Sequence, residues 1–247
     1  MSNRIFALPL LMFITFPVVL LAGEHVTETQ KFSYPLASGG SFEIDNLNGK
    51  IDINSWDQSQ LGITATKEAN SQAELDAIRI DVKQQSDAIE VRTSYSPPGP
   101  HNGGVSYQVM LPKDIGKVVV KTANGSISAK NVGGNVDMKS ENGAISATDL
   151  KGPFSLDTTN GAVEAVCADL MGDSKLKTTN GPITLTLPRS TDVLIDADTV
   201  VGRIESNLPA IKSSKGFVGQ TLQAKLGAGA HHIEAKTTNG SIYLKAE

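Results

Sequence analysis

The chain has 247 residues, of which 39% are hydrophobic, 5% aromatic and 19% charged, and its formal net charge is −4. This length allows one large β domain or two ordinary domains, and the mildly acidic balance without basic runs argues against nucleic acid or an anionic membrane surface as a partner. A single cysteine excludes an intramolecular disulfide and a cysteine-based zinc cluster. The 23 glycines and few aromatic residues indicate many turns and small packed positions.

The first residues have the features of a secretory signal peptide. Arg4 is the only charge before an apolar stretch from Ile5 to Leu21, and small residues follow that stretch. We predict a signal peptide over residues 1–22 and an exported protein, located in the periplasm, outside the cell or on its surface. The apolar stretch is at the short limit for a bilayer span, so an uncleaved anchor is the alternative. Glu24 stands where a lipoprotein would carry its acylated cysteine, so we expect no lipid anchor there.

An Asn-Gly motif recurs along the chain, and each copy is followed by any residue and then an aliphatic one. The pairs are Asn48-Gly49, Asn124-Gly125, Asn142-Gly143, Asn160-Gly161, Asn180-Gly181 and Asn239-Gly240, and the aliphatic residues are Ile51, Ile127, Ile145, Val163, Ile183 and Ile242. Consecutive copies from Asn124 to Asn180 are 18, 18 and 20 residues apart. Gly202 belongs to a degenerate copy with Val201 in place of Asn, and the 38 residues from there to Asn239 would hold two further turns.

Apolar and polar residues alternate on both sides of each pair, which indicates two strands joined at Asn-Gly. In a parallel β-solenoid each copy of 18–20 residues is one coil and Asn-Gly forms a corner. The alternative is an antiparallel β meander of Asn-Gly hairpins, because both residues tolerate positive φ. The constant register favours an all-β parallel solenoid, in which equivalent side chains stack about 4.8 Å apart and the asparagines form an amide ladder. We expect these asparagines to adopt left-handed turn conformations.

Residues 23–112 are predicted to form a less regular N-terminal β region, and residues 113–247 the solenoid repeats. Ser71 and Glu74 have the spacing of a capping box and predict a short helix to about Ile78. Prolines and glycines between Ser96 and Gly104 indicate a loop. Further strands are predicted around Leu61–Ala65, Ile78–Val82, Ile89–Val91 and Val105–Leu111.

These features together resemble a known family. An apolar leader, Asn-Gly-x-Ile, a Tyr-x-Val-x-Leu-Pro strand and repeated Thr-x-Asn-Gly-x-Ile are similar to the bacterial putative adhesin family of β-strand-repeat proteins, over roughly residues 38–246. The resemblance implies an envelope-associated β-helical domain of undefined biochemical role, which in some members is linked to envelope stress. It supplies no catalytic motif, and we expect this chain to lack the lipid cysteine or transmembrane anchor of some members.

The reactive side chains show no catalytic or metal-binding pattern. The four histidines lack zinc-site spacing, so we expect no metal and no cofactor. Cys167 continues the inward alternation after Val163, so we expect a buried core residue, with a disulfide-linked dimer as the alternative. The site residues assigned are therefore the structural turn residues named above, Gly202 included.

Carboxylates leave an enzyme as an alternative, since parallel β-helices host polysaccharide-cleaving enzymes and such enzymes need two carboxyl groups. The candidate groups are Asp45 with Asp52, and Asp157 with Glu164 and Asp169. Against this, only one Trp and four Tyr are available to stack on sugars. Outward charges before the corners are predicted to change sign from coil to coil, which is typical of a solvated face with weak attraction: Lys121, Asp157, Lys177, Asp198 and Lys236.

The sequence thus favours a non-catalytic, exported cell-envelope protein, an adhesin or a scaffold that binds surface polymers, peptides or other surface proteins. A polysaccharide-active β-helix enzyme is one alternative. The other is a structural envelope protein that self-associates through a strand edge left uncovered where the repeats end at Leu244.

Overall fold

The computed structural model describes residues 25–97, 102–216 and 219–247. The predicted signal peptide and the centre of the predicted loop after Ser96 lie outside these ranges. The first part of the chain contributes β1 (Val26–Pro35), β2 (Ser41–Asn48), β3 (Ile51–Trp56), β4 (Gln60–Ala69), α1 (Gln72–Ala77), β5 (Ile78–Gln85), β6 (Ala88–Tyr95) and β7 (Gly104–Pro112). The rest contributes β8 (Lys117–Asn124), β9 (Ile127–Lys130), β10 (Asn135–Asn142), β11 (Ile145–Leu150), β12 (Phe154–Asn160), β13 (Val163–Cys167), β14 (Ser174–Asn180), β15 (Ile183–Leu187), β16 (Val193–Val201), β17 (Ile204–Ser206), β18 (Ala210–Lys215), β19 (Gln220–Leu226), β20 (His231–Asn239) and β21 (Ile242–Ala246). Across the described ranges, the chain contains no helix of the length and apolarity that a bilayer span requires.

The strands form two sheets with the hydrophobic core between them. Sheet A has the order β1-β4-β7-β3-β9-β11-β13-β15-β21-β17, and sheet B the order β18-β19-β16-β20-β14-β12-β10-β8-β2-β6-β5. Each Asn-Gly pair connects a strand of sheet B to a strand of sheet A, and these two strands with their corner make one coil. Equivalent strands of neighbouring coils pair in parallel, for example Met138 opposite both Val120 and Leu156. The predicted β-solenoid is confirmed, and the hairpin alternative is wrong because the strands on either side of Asn-Gly belong to different sheets.

The order of the coils in the stack differs from their order in the chain. From one end to the other the coils are β6–β7, β2–β3, β8–β9, β10–β11, β12–β13, β14–β15, β20–β21 and β16–β17. The residues between Val201 and Asn239 hold the antiparallel strands β18 and β19 rather than two further turns, so that expectation is wrong. The uncovered edge expected at Leu244 is wrong as well, because Leu244 lies opposite Leu185 on one side and Ser206 on the other.

Strands from both sides of residue 112 pair directly with one another. β2 is parallel to β8 in sheet B, and β3 is parallel to β9 in sheet A, so the two parts of the chain share one hydrophobic core. Outside the β6–β7 coil, antiparallel strands extend both sheets: β4 and β1 in sheet A, and β5 in sheet B. The predicted short helix forms with Ser71 as its N-cap, since Ser71 Oγ accepts a hydrogen bond of 3.2 Å from the Glu74 N–H at the start of α1, while Glu74 Oε2 accepts from the Asn70 N–H at 3.1 Å instead of from Ser71.

Equivalent inward side chains form columns along the stack. The aliphatic residue that follows each corner is buried in every coil from β2–β3 to β16–β17: Ile51, Ile127, Ile145, Val163, Ile183, Ile242 and Ile204. Because β-branched side chains pack well at the spacing of paired strands, this repeated residue type suits stacked coils. The alternation read from the sequence therefore places one face of every strand in the same core.

The corner glycines lie directly over one another. A Cβ atom on Gly161 would be 2.2 Å from the carbonyl oxygen of Gly143, and one on Gly181 would be 2.1 Å from that of Gly161. Glycine is therefore required for the close approach of two backbones. The expectation of left-handed asparagines is wrong: in the described ranges, Ser86, Asn131 and Asp149 are the non-glycine residues with positive φ. The asparagines continue the extended strands of sheet B, so the corner needs no left-handed residue before the glycine.

We predict that Gly161→Ala lowers the free energy of unfolding by at least about 2 kcal/mol, because the added methyl group forces two coils apart. Ala162→Lys is the matched control, since the residue after the corner glycine is Lys50 or Arg203 in other coils. Urea unfolding of both variants measures the effect. Equal midpoints for Gly161→Ala and the unmodified protein would contradict the close approach.

Candidate binding groove

The predicted turn residues are brought together at one edge of the stack, where the asparagine side chains form a ladder. Each Nδ2 donates to the Oδ1 of the asparagine in the coil before it, over distances of 2.7–2.9 Å: Asn124 to Asn48, Asn142 to Asn124, Asn160 to Asn142, Asn180 to Asn160, and Asn239 to Asn180. At one end Asn48 Nδ2 donates to the Gly103 carbonyl oxygen at 3.1 Å. All six amides point the same way, so each hydrogen bond polarises the next.

A column of hydroxyl groups lies directly inside this ladder. Each hydroxyl donates to the carbonyl oxygen of the corner glycine in the preceding coil, at 2.8–3.0 Å: Ser140 to Gly125, Thr158 to Gly143, Thr178 to Gly161, Thr237 to Gly181, and Thr199 to Gly240. These side chains are buried, and the hydrogen bonds satisfy them where an unpaired hydroxyl would be costly. The turn residues thus form the structural edge of the stack, with a satisfied backbone beneath them.

Neither predicted group of carboxylates converges. Asp45 belongs to β2 of sheet B and Asp52 to β3 of sheet A, so they lie on the outer faces of opposite sheets. Asp157 in β12 and Glu164 in β13 are separated in the same way, and Asp169 follows β13 in a loop.

The predicted change of sign from coil to coil holds at several contacts, for example Asp157 with Lys177 and Asp198 with Lys236, and fails at two. Two lysines are adjacent at Lys121 and Lys139, and the exchanged stacking order puts Lys177 next to Lys236.

A charged cluster occupies the outer face of sheet B on β14, β20 and β16, toward the β16–β17 end of the stack. His232 Nε2 lies 2.7 Å from Asp196 Oδ2, and Glu234 forms ion pairs with Lys175 at 3.0 Å and with Lys236. Desolvation raises the pKa of Asp196, but hydrogen bonds from His232 and Gln223 outweigh it and hold that pKa below its ordinary value. Hydrogen bonds from its two lysine partners lower the pKa of Glu234. No group of three or more His, Cys, Asp or Glu in the described part of the chain has an arrangement that could hold a metal ion.

Cys167 is buried in the core between the sheets, as predicted from the alternation. Its side chain points inward from the end of β13, and burial raises the pKa of the thiol to about 12. A thiol with such a pKa is protonated at neutral pH and is a poor nucleophile.

A groove of about 790 Å³ that was not predicted from the sequence lies on the outer face of sheet A. It lies where β1, β4, β7 and β3 run side by side, at the end of the stack where β4 and β1 extend sheet A. It is lined by Lys31, Phe32, Ser33, Asp52, Asn54, Trp56, Gly62, Ile63, Thr64, Gln108, Val109 and Met110. Two outward rows across these strands supply most of its polar surface: Lys31, Thr64, Gln108 and Asp52 in one row, and Ser33, Gly62, Met110 and Asn54 in the other.

Trp56 is the single tryptophan of the chain and forms one wall of the groove. Its Nε1 donates to the Gln60 carbonyl oxygen at 2.8 Å, which fixes the ring. The ring lies over Gly62, where a Cβ atom would be 2.9 Å from the indole Cη2. Glycine at this strand position therefore provides the space in which the indole lies against the sheet.

Several polar groups of the groove have no hydrogen-bond partner among the described residues. The side chains of Asn54, Gln108 and Thr64 make no hydrogen bond to any described residue, and Asn54 and Gln108 are exposed. Asp52 is neutralised by Lys50 at 2.8 Å. The alternation after Asn48-Gly49 already places Asp52, Asn54 and Trp56 on one outward face, and this was the signal that could have indicated the groove.

The family model described as Toastrack DUF4097 matches residues 25–245, nearly the whole described chain. The chain belongs to this family. The resemblance to putative adhesins drawn from the sequence is therefore confirmed. No functionally curated protein matches this Toastrack chain in sequence.

Solved structures of similar proteins come from several bacteria. A putative cell adhesion protein from Clostridium sporogenes is 15% identical with a TM-score of 0.48, and covers 89% of this chain and 100% of its own. A putative adhesin from Bacteroides fragilis is 12% identical with a TM-score of 0.39, and covers 89% and 97%. A putative lipid binding protein from Parabacteroides distasonis is 9% identical with a TM-score of 0.32, and covers 89% and 96%. Likenesses at these identities concern the fold and carry no information on ligands.

We predict that Asn160→Ala destabilises the fold by about 1 kcal/mol, because it removes two exposed amide hydrogen bonds of the ladder.

Conversely, Val201→Asn is expected to raise the unfolding midpoint, since the coil beyond Asn239 carries an exposed Val201 where the ladder would continue. Thermal unfolding of the two variants tests both signs. A destabilised Val201→Asn protein would contradict the ladder's contribution.

For Cys167 we predict no modification by a thiol-specific reagent in the native protein, because the thiol is both buried and protonated. In denaturant one thiol per chain should react at once, which is the positive control. Colorimetric titration measures both states. Rapid modification of the native protein would show that the end of β13 opens readily.

Proposed function

We propose that this Toastrack protein is a non-catalytic, exported cell-envelope scaffold that binds neutral glycan chains of a surface polymer in the groove at Trp56. The observation that carries the proposal is the placement of the only tryptophan beside unpartnered amide and hydroxyl groups on a rigid outward face. The features of residues 1–22 support export.

The chemistry of the groove suits a saccharide. A sugar ring has an apolar face of C–H groups, which packs against an indole, and a rim of hydroxyls, which need partners that both donate and accept hydrogen bonds. The side-chain amides of Asn54 and Gln108 and the hydroxyl of Thr64 offer both functions. Pairing of the strands fixes the backbone at these three positions before a ligand arrives, so binding has to order only the side chains.

The charges of the groove favour a neutral ligand. Asp52 is the single carboxylate among the lining residues, and Lys50 pairs with it; Lys31 is an exposed ammonium group at the far side. Hydrolysis of a glycosidic bond by the common mechanisms uses two carboxyl groups about 5 to 9 Å apart. One paired carboxylate therefore supports binding without catalysis.

The single tryptophan makes the proposal directly testable. Titration of the purified protein with soluble neutral polysaccharides should change the intrinsic tryptophan fluorescence, because Trp56 is its only source. Trp56→Phe should retain part of the affinity through ring stacking, measured by calorimetry. Trp56→Ala should weaken binding at least about tenfold, roughly 1.4 kcal/mol.

Tyr243→Ala is the matched control, since Tyr243 lies on the same face of sheet A in β21. It is five strands from Asp52, or about 24 Å at the usual strand spacing. The Tyr243→Ala variant should bind like the unmodified protein.

Asn54→Ala and Gln108→Ala, at exposed positions, should weaken binding without altering the thermal unfolding midpoint. No binding across a panel of neutral glycans, or equal affinity for Trp56→Ala and the unmodified protein, would overturn the proposal, and release of shortened saccharides would establish an enzyme instead.

A further inference from the structure

The chain contains a seventh Asn-Gly pair, Asn102-Gly103, outside the ladder. Asn102 is exposed and lies two residues before Gly104, the first residue of β7, at the position in the β6–β7 coil that the other coils fill with a corner. The seven pairs share the Asn-Gly dipeptide and differ in their flanking residues and in their place in the fold.

Asparagine followed by glycine is open to an intramolecular reaction. The glycine backbone nitrogen attacks the asparagine Cγ, the Cγ–Nδ2 bond breaks, and ammonia leaves with the proton of that nitrogen. Water then opens the resulting succinimide at either carbonyl, which yields aspartate or isoaspartate. The net change replaces one amide by one carboxylate and requires water alone as co-reactant.

The six ladder pairs are held away from this reaction by two sets of hydrogen bonds. Each glycine N–H donates to a carbonyl oxygen of the neighbouring coil at 2.8–3.0 Å: Gly49 to Asn124, Gly125 to Asn142, Gly143 to Asn160, Gly161 to Asn180, Gly181 to Asn239, and Gly240 to Val201. Each asparagine amide is held by the ladder, and the extended backbone keeps the glycine nitrogen away from Cγ.

None of these restraints acts at the seventh pair. The Asn102 side chain makes no hydrogen bond to a described residue, and neither does the Gly103 N–H. Asn102 also lies outside the strands, so no ladder pairing fixes its backbone. We propose that Asn102 is a site of spontaneous deamidation in the folded protein, while the stack protects the other six Asn-Gly pairs.

The position of this site gives the modification a structural effect. The Gly103 carbonyl oxygen accepts hydrogen bonds from Asn48 Nδ2 at 3.1 Å and from the Tyr95 hydroxyl at 3.2 Å. An isoaspartate at Asn102 adds one atom to the main chain immediately before Gly103. It therefore displaces the acceptor on which the asparagine ladder ends, and it adds one negative charge to the formal −4 of the chain.

The test is to incubate the purified full chain at mildly alkaline pH and follow all seven pairs by peptide mass mapping. Enzymatic methylation of isoaspartate provides a second readout. We expect Asn102 to deamidate at least about tenfold faster than any ladder asparagine, since a ladder pair must first break a backbone and a side-chain hydrogen bond. Asn102→Ala should remove the fast event and leave the others unchanged.

The same chain in denaturant supplies the internal control, because all seven pairs should then react at comparable rates. Equal rates at Asn102 and the ladder asparagines in the folded protein would overturn the proposal. The same ranking of the seven pairs in the folded and denatured chain would overturn the claim that the stack protects six of them. Neither outcome depends on glycan binding.

Discussion

The contact between successive corner glycines sets the geometry of the whole stack. Where a Cβ of Gly143 would stand, the carbonyl oxygen of Gly125 is 2.0 Å away, and the same holds within a few tenths of an ångström at the next corners. Two coils can approach this closely only in one register. A slip of one residue would place a side chain at the contact and turn every inward residue outward.

The columns of side chains follow from that register. Because the corners are aligned, the hydroxyls of the buried threonines can donate to the glycine carbonyl oxygens of the preceding coil. The exposed asparagine amides can hydrogen-bond to one another for the same reason. The hydroxyl column is interrupted where the residue type at this position changes. Asn46 replaces the hydroxyl in the β2–β3 coil and donates to the Val105 carbonyl oxygen at 2.9 Å, and the next hydroxyl, on Thr122, is left without a partner among the described residues.

The candidate site lies on the outward face of sheet A, away from the corners and the core that define the repeat. Stacking requires the same residue types at the corners and on the inward faces of successive coils. It places no such requirement on the outward faces, and the groove is built from outward residues. It lies where strands added outside the repeat, β1 and β4, widen sheet A and bring Gly62 under Trp56. A rigid scaffold that carries a variable face is a common way for solenoid proteins to bind extended partners.

Much of this architecture is readable from the sequence, and the missing part has a physical cause. The alternation around Asn-Gly-x-Ile predicts two strands, a corner and a parallel stack, because it specifies which side of each strand is buried. It does not specify which coils are neighbours in the stack, because Ile204 would pack beside Ile183 as well as Ile242 does. The one local indication of the coil order is Val201. A coil inside the ladder needs a side-chain amide that pairs with the coils on both sides, and valine has none. The groove escaped prediction because Gln108 and Met110 reach Trp56 only through pairing between strands distant in the chain.

The exchanged order of the coils has a consequence for how the molecule is assembled. β20–β21 follows β16–β17 in the chain yet lies between it and β14–β15, and β2–β3 is enclosed by the later β6–β7. The stack therefore cannot grow coil by coil from one terminus to the other, as a simple solenoid can. Each end closes only when a later segment arrives, which raises contact order and makes folding slower and more nearly all-or-none. A polypeptide of this kind stays open until nearly all of it is available, which is compatible with the export proposed for it.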